Sequence, residues 1–212
     1  MTTARSSTGC GAPSVWSPEG RATVLSCIGC GRIDTAQGCA GTCGEYRLEI
    51  VPAAAHDGTA ARVAARRARL NAFTALAARL AAHAPGTDGW EVSYRAFQAE
   101  ARAVLHTVAA APERTDLDAD VERLTVWSCG CCGRVEAEAP CIGVCTDERL
   151  EVVRADVHDE VRAELESMTA PLRDVSAVVR QLAFVTPRPG GWETTFRALR
   201  GRARALVGAE AR

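Results

Sequence analysis

No lysine occurs in this chain; its 25 basic residues are all Arg, set against 26 acidic ones for a formal net charge of −1. So close a balance gives no general pull toward nucleic acid or acidic membranes. Aromatic residues are scarce, at 5%. No apolar run approaches the roughly 20 residues that a membrane-spanning helix needs. The opening MTTARSSTGCGAPSVWSPEG has none of the apolar stretch of a secretory signal. The expectation is a soluble, cytoplasmic protein without membrane contact. Also missing are a Gly-rich phosphate loop, a nucleophile elbow and a His-Glu-x-x-His helix. No pair of carboxylates stands out for acid–base work, so the chain reads as a non-enzyme. His56, His83, His106 and His158 do not cluster along the chain. They read as surface or helix-start residues.

What the sequence does have is alanine, arginine and cysteine. The chain is 212 residues long and 47% hydrophobic, enough to bury a core. Ala makes up roughly a fifth of it, which favours helix. The Arg-for-Lys and Ala bias has the look of coding from a GC-rich bacterial genome. The 10 Cys are more telling. Cytosolic proteins seldom keep disulfides, so a Cys-rich cytosolic chain points to metal or redox chemistry.

The Cys belong to an internal repeat with a period of 102 residues and no gap. Cys27, Cys30, Cys39 and Cys43 fall on Cys129, Cys132, Cys141 and Cys145. Gly31-Arg32 falls on Gly133-Arg134, Arg47-Leu48-Glu49 on Arg149-Leu150-Glu151, and Gly89-Trp90-Glu91 on Gly191-Trp192-Glu193. Each copy reads as a Cys-rich module followed by a long helix, a tight loop and a second helix. Apolar residues at three- and four-residue spacing predict helices over 55–83 and 156–185. Pro85-Gly86 and Pro187-Arg188-Pro189-Gly190 must interrupt them. Further helices then open at Trp90 and Trp192, with Glu91 and Glu193 suited to a helix N-terminus.

The chain divides on this reading into a disordered tail over 1–20, a first repeat over 21–110, an acidic linker over 111–122 and a second repeat over 123–208. The expected fold is mainly α. Two four-Cys metal knuckles are each followed by an antiparallel helical hairpin, and the hairpins pack as a four-helix bundle with approximate two-fold symmetry. Trp90 and Trp192 read as wedges between helices, with an exposed partner anchor as the alternative. Arg62, Arg66, Arg67, Arg69 and Arg79 make one helix basic, and Arg197, Arg200, Arg202 and Arg204 another. The default for both is a solvated face.

The first module reads Cys27-Ile-Gly-Cys30-Gly-Arg, then eight residues after Cys30, then Cys39-Ala-Gly-Thr-Cys43. The second is Cys129-Gly-Cys131-Cys132-Gly-Arg and, after the same interval, Cys141-Ile-Gly-Val-Cys145. A Cys-x-x-Cys-Gly turn points two thiolates to one side while backbone N–H groups reach the sulfurs. A short hairpin returns the second Cys pair, so that four thiolates could surround one tetrahedral ion. The candidate ligands are therefore Cys27, Cys30, Cys39, Cys43, Cys129, Cys132, Cys141 and Cys145. Arg32, Arg47, Arg134 and Arg149 stand close in sequence and read either as offsetting the thiolate charge or as ordinary surface residues. Cys10 and Cys131 are surplus; Cys131 stands where the first copy has Gly29.

Over about 20 residues per copy the modules resemble a zinc-ribbon or rubredoxin-like knuckle, duplicated in tandem in a small Cys-rich protein of actinobacterial type. The second pair departs from the pattern, because it is Cys-x-x-x-Cys. The leading expectation is two structural Zn²⁺ per chain in a non-enzymatic scaffold or adaptor with a protein partner. The same ligands would suit iron or an iron–sulfur cluster. The chain would then carry electrons or help assemble a metallocentre for an oxidoreductase such as a hydrogenase. A nucleic-acid-binding regulator is the third reading, without a groove-reading motif behind it.

Overall fold

Two segments in each half carry stretches of alternating apolar and polar side chains, and with a two-residue third they form strands. The structure, a computed structural model, describes residues 15–35, 43–86, 89–107, 121–130, 134–137 and 147–210. The first half supplies β1 (Ala22–Cys27), β2 (Ile33–Asp34) and β3 (Glu45–Pro52); the second supplies β4 (Leu124–Cys129), β5 (Val135–Glu136) and β6 (Asp147–Arg154). All pair antiparallel into a closed barrel in the order β1-β2-β5-β4-β6-β3. The expected mainly α fold of knuckles on a four-helix bundle is therefore incorrect. The Cys27–Cys30 turn is the hairpin turn between β1 and β2 of a β-barrel. The reason lies in residues such as Val24, Ile50, Val126 and Val152, all essentially buried. Their β-branched side chains fit a pleated surface with one face turned inward.

The two halves close on each other at two seams. Asp34 faces Glu136 between β2 and β5, and Val51 faces Val153 between β3 and β6. Each seam sets a residue opposite its own counterpart one repeat later, as an approximate two-fold axis requires. Closure removes the unpaired edges that either three-stranded half would expose. The barrel interior repeats the symmetry: Val24, Ile33 and Ile50 are matched by Val126, Val135 and Val152. Val15 and Trp16, placed by the sequence reading in a disordered tail, pack against this interior, and the Trp16 indole N–H donates to Ser128 Oγ at 3.4 Å. The rest of that tail and most of the expected linker lie outside the described residues.

The helices are α1 (Ala53–Ala82), α2 (Trp90–Thr107), α3 (Ala155–Ser167), α4 (Thr169–Phe184) and α5 (Trp192–Glu210). The first long helix matches expectation. The second is interrupted at Met168, because Pro171 has no N–H to donate to the preceding turn. The first half has Arg69 in that register, and α1 runs through it unbroken.

By compactness the chain forms two units, Met1–Ala60 with Asp116–Arg162 and Ala61–Thr115 with Ala163–Arg212. Each draws on both repeats. The first holds the barrel. The second is helical, and its core is also symmetric: Phe73, Leu76, Leu80 and Tyr94 correspond to Val175, Val178, Leu182 and Phe196. Trp90 packs edge-on against Phe196 at 5.7 Å, and Trp192 against Tyr94 at 5.5 Å. Each Trp thus wedges against an aromatic of the other repeat. Arg102 donates to the Ala183 carbonyl at 2.8 Å and Arg204 to the Ala81 carbonyl at 3.0 Å. These bonds satisfy carbonyls that the last turns of α4 and α1 leave without helical donors. Among the described residues no helix is long and apolar enough to cross a membrane.

Candidate metal centre

The turn from β1 to β2 is built on Cys27-Ile28-Gly29-Cys30-Gly31. Gly31 takes a φ of +73°, a left-handed conformation that suits a residue without a Cβ. Its N–H donates to the Cys27 carbonyl at 3.0 Å, and the Cys27 N–H donates to the Arg32 carbonyl at 2.9 Å. The tight turn leaves the Cys27 sulfur facing backbone donors. It accepts from the Cys30 N–H, from the Cys30 thiol, from the Gly29 N–H and from the Cys43 thiol. Together these overcome the opposing effect of burial and lower the Cys27 pKa from 9.0 to about 7. The thiolate is the form that ligates metals.

Cys43 reaches the turn because β3 returns beside it. The Ile28 N–H donates to the Gly44 carbonyl at 3.0 Å, which ties the two segments together. A Cβ on Gly29 would come within 2.7 Å of Cys43 Sγ. The bare Gly29 backbone is therefore what admits the Cys43 side chain. Cys27 is buried, whereas Cys30 and Cys43 are exposed.

The second module starts in the same way. Cys129 ends β4, is buried, and its N–H donates to the Arg134 carbonyl at 2.9 Å, matching Cys27 and Arg32. Of the eight candidate ligands, Cys39, Cys132, Cys141 and Cys145 lie outside the described residues, as do Cys10 and Cys131. Among the described residues, no group of three or more His, Cys, Asp or Glu is disposed to hold a metal ion.

The four Arg fall into two classes. Arg32 and Arg134 both reach the carboxylate of Asp34, at 3.1 and 3.2 Å, and Arg134 also pairs with Glu136 at 2.6 Å. Asp34 is only 1% exposed, so two guanidiniums are what make its charge tolerable there. These Arg serve the β2–β5 seam. Arg47 and Arg149 lie exposed on β3 and β6, opposite Leu25 and Trp127.

Two residues read from the sequence as isolated come together in the barrel unit. The rings of His56 and His158 lie 6.0 Å apart, centroid to centroid. His56 is wholly buried, and neither of its ring nitrogens has a hydrogen-bond partner; His158 Nδ1 is likewise buried and unpaired. Burial, and then the neighbouring His56, push the His158 pKa down. Arg21 and Arg162 act in the same direction, and Asp159 opposes them. The neighbouring acids are cross-linked between repeats: Arg123 grips Asp57 at 2.8 Å, and Arg21 grips Asp159 at 3.0 Å. His56 and His158, Asp57 and Asp159, and Arg21 and Arg123 each stand one repeat apart. That register was the signal that could have paired the histidines from sequence.

Comparison with protein-family models, with curated proteins and with solved structures finds no match to this chain.

Proposed function

We propose that the chain binds two metal ions through its four-Cys modules, zinc in each, and works as a non-enzymatic scaffold for a protein partner in the cytoplasm. The observation that carries this reading is the Cys27 knuckle. One sulfur takes two backbone N–H bonds inside a Cys-x-x-Cys-Gly turn, with a third Cys drawn against it by β3. Backbone donors aimed at a thiolate orient it and relieve part of its charge, as ligand-supporting groups do around metals. The second module shares the ligand spacing and the hairpin closure. Four thiolates leave no open coordination position, which suits structural Zn²⁺.

The metal would act where the barrel is thinnest. β2 and β5 are two residues long and share one register pair, Asp34 and Glu136, beside the Ala137 N–H bond to the Ile33 carbonyl at 3.0 Å and the Arg134–Asp34 ion pair. Both strands follow directly from the Cys-x-x-Cys turns. An ion at each turn would hold its hairpin and, through it, the seam. Metal binding and barrel closure would then be one equilibrium.

Separate Cys30→Ser and Cys132→Ser substitutions test this, with zinc counted after purification under reducing conditions. Each is expected to remove about one zinc and to lower the thermal midpoint. Unchanged zinc in both variants would refute the proposal.

A further inference from the structure

We infer that the groove between α1 and α4 docks an acidic amphipathic helix of a protein partner. The inference rests on the scaffold reading and names the chemistry of its partner. The groove has a volume of about 680 Å³ and opens on the helical unit. Four guanidiniums line it: Arg66 and Arg69 from α1, Arg173 and Arg180 from α4. No carboxylate lines it among the described residues.

Three of the four charges are not neutralised. Arg66 donates to the Leu165 carbonyl at 2.8 Å and to Thr169 Oγ1 at 2.9 Å, both uncharged acceptors. Arg69 lies over the Phe73 ring at 5.3 Å, and its Nε is a buried donor without an acceptor. Arg180 is exposed and pairs with no acid among the described residues. Only Arg173 has a carboxylate, that of Asp174 at 3.0 Å. A concave site holding three guanidiniums without a carboxylate partner among the described residues is complementary to an anion.

The form of the anion follows from the spacing and the floor. Arg173 and Arg180 are seven residues apart on α4, about 10 Å along its axis. A helix lying alongside presents carboxylates at i and i+7 with the same spacing. Leu172 and Ala177 add apolar lining to the groove, against which an apolar stripe can pack. Nucleic acid fits less well. No aromatic ring lines the groove to stack a base, since Phe73 is wholly buried beneath Arg69.

The test uses the full chain, with zinc measured in the same sample. The probes are a fluorescein-labelled synthetic amphipathic helix carrying Glu at i, i+4 and i+7, its Gln counterpart, and a mixed-sequence single-stranded oligonucleotide. The Glu peptide is expected to bind about tenfold more tightly than the Gln peptide, and Arg180→Glu to weaken it by about tenfold. Arg180 makes no hydrogen bond or ion pair among the described residues, and the circular dichroism of the variant checks that the fold is kept. Equal binding of the two peptides, indifference to Arg180→Glu, or tighter binding of the oligonucleotide would overturn the inference. Failure to bind with zinc present overturns the groove alone. Charge-dependent binding without zinc overturns the metal reading alone.

Discussion

The two halves of this chain are one design that has been allowed to drift in different places. Their buried positions agree almost one for one: Leu80 with Leu182, Tyr94 with Phe196, Val24 with Val126. Their turns do not. The first knuckle has Gly29 where the second has Cys131, and the first long helix has Arg69 where the second has Pro171. The difference teaches which constraint each site carries. Core positions answer to the partner half across the two-fold axis, so a change on one side is felt on the other. Positions outside the core that make no cross-half contact are free to diverge, whereas Arg21 with Asp159 and Arg123 with Asp57 keep the halves matched at the surface.

The largest expected effect comes from breaking the agreement in the core. Phe196 is wholly buried and touches Trp90, Phe97 and His83 of the other half. Phe196→Ala should cost about 3–5 kcal/mol in urea unfolding. Its counterpart Tyr94 also donates its hydroxyl to the Val185 carbonyl at 2.7 Å. Tyr94→Phe removes only that bond and should cost about 1 kcal/mol. Equal losses in the two variants would mean that the hydroxyl, and not the ring packing, holds the helical unit.

A smaller effect sharpens the comparison of the knuckles. Gly29→Cys gives the first turn the residue of the second. The new Cβ would meet Cys43 Sγ at 2.7 Å, and such overpacking costs about 1–3 kcal/mol. Zinc affinity at the first module should fall accordingly in competition with a chromophoric chelator. An unchanged affinity would show that Cys43 gives way freely and that the two knuckles are interchangeable.

The smallest effect concerns the pair of buried His56 and half-buried His158. The His158 pKa is lowered in the folded chain from 6.5, first by burial and then by His56. The unfolded chain therefore takes up the proton at higher pH than the folded one. The contribution is fully present above about pH 6.5 and is lost as pH falls through the folded value. The urea midpoint of the parent protein should thus fall between pH 7 and pH 5, and His158→Gln should flatten that slope. Parallel slopes in the two proteins would assign the acid sensitivity to other groups.

Much of this architecture was legible in the sequence, but unevenly. The repeat, the breaks at Pro85 and Pro187, and the tryptophan wedges follow from residues whose physical preferences are strong and local. The barrel was harder to see. Arg47-Leu48-Glu49-Ile50 alternates with period two, yet such short segments weigh little beside a 30-residue helix, and two-residue strands carry no periodicity. Closing the barrel depends on the two seams, which join residues about a hundred positions apart, and no local pattern encodes these. The break at Met168 was signalled by Pro171, and the longer apolar stripe outweighed it. At the candidate site, the Cys-x-x-Cys-Gly turn was fully readable. The role of Gly29 as clearance for Cys43 was not, because it exists only once β3 has returned. Nearness in sequence placed Arg32 and Arg134 beside the thiolates; it did not show that both also reach the buried carboxylate of Asp34.

The most direct test of the central claim is metal content together with a visible absorption spectrum. It should be made on protein purified without oxygen and without added metal. The account predicts about two zinc per chain and no visible band, as four-thiolate structural sites require. Iron with sulfide and a brown colour, or protein that is folded and free of metal, would contradict it.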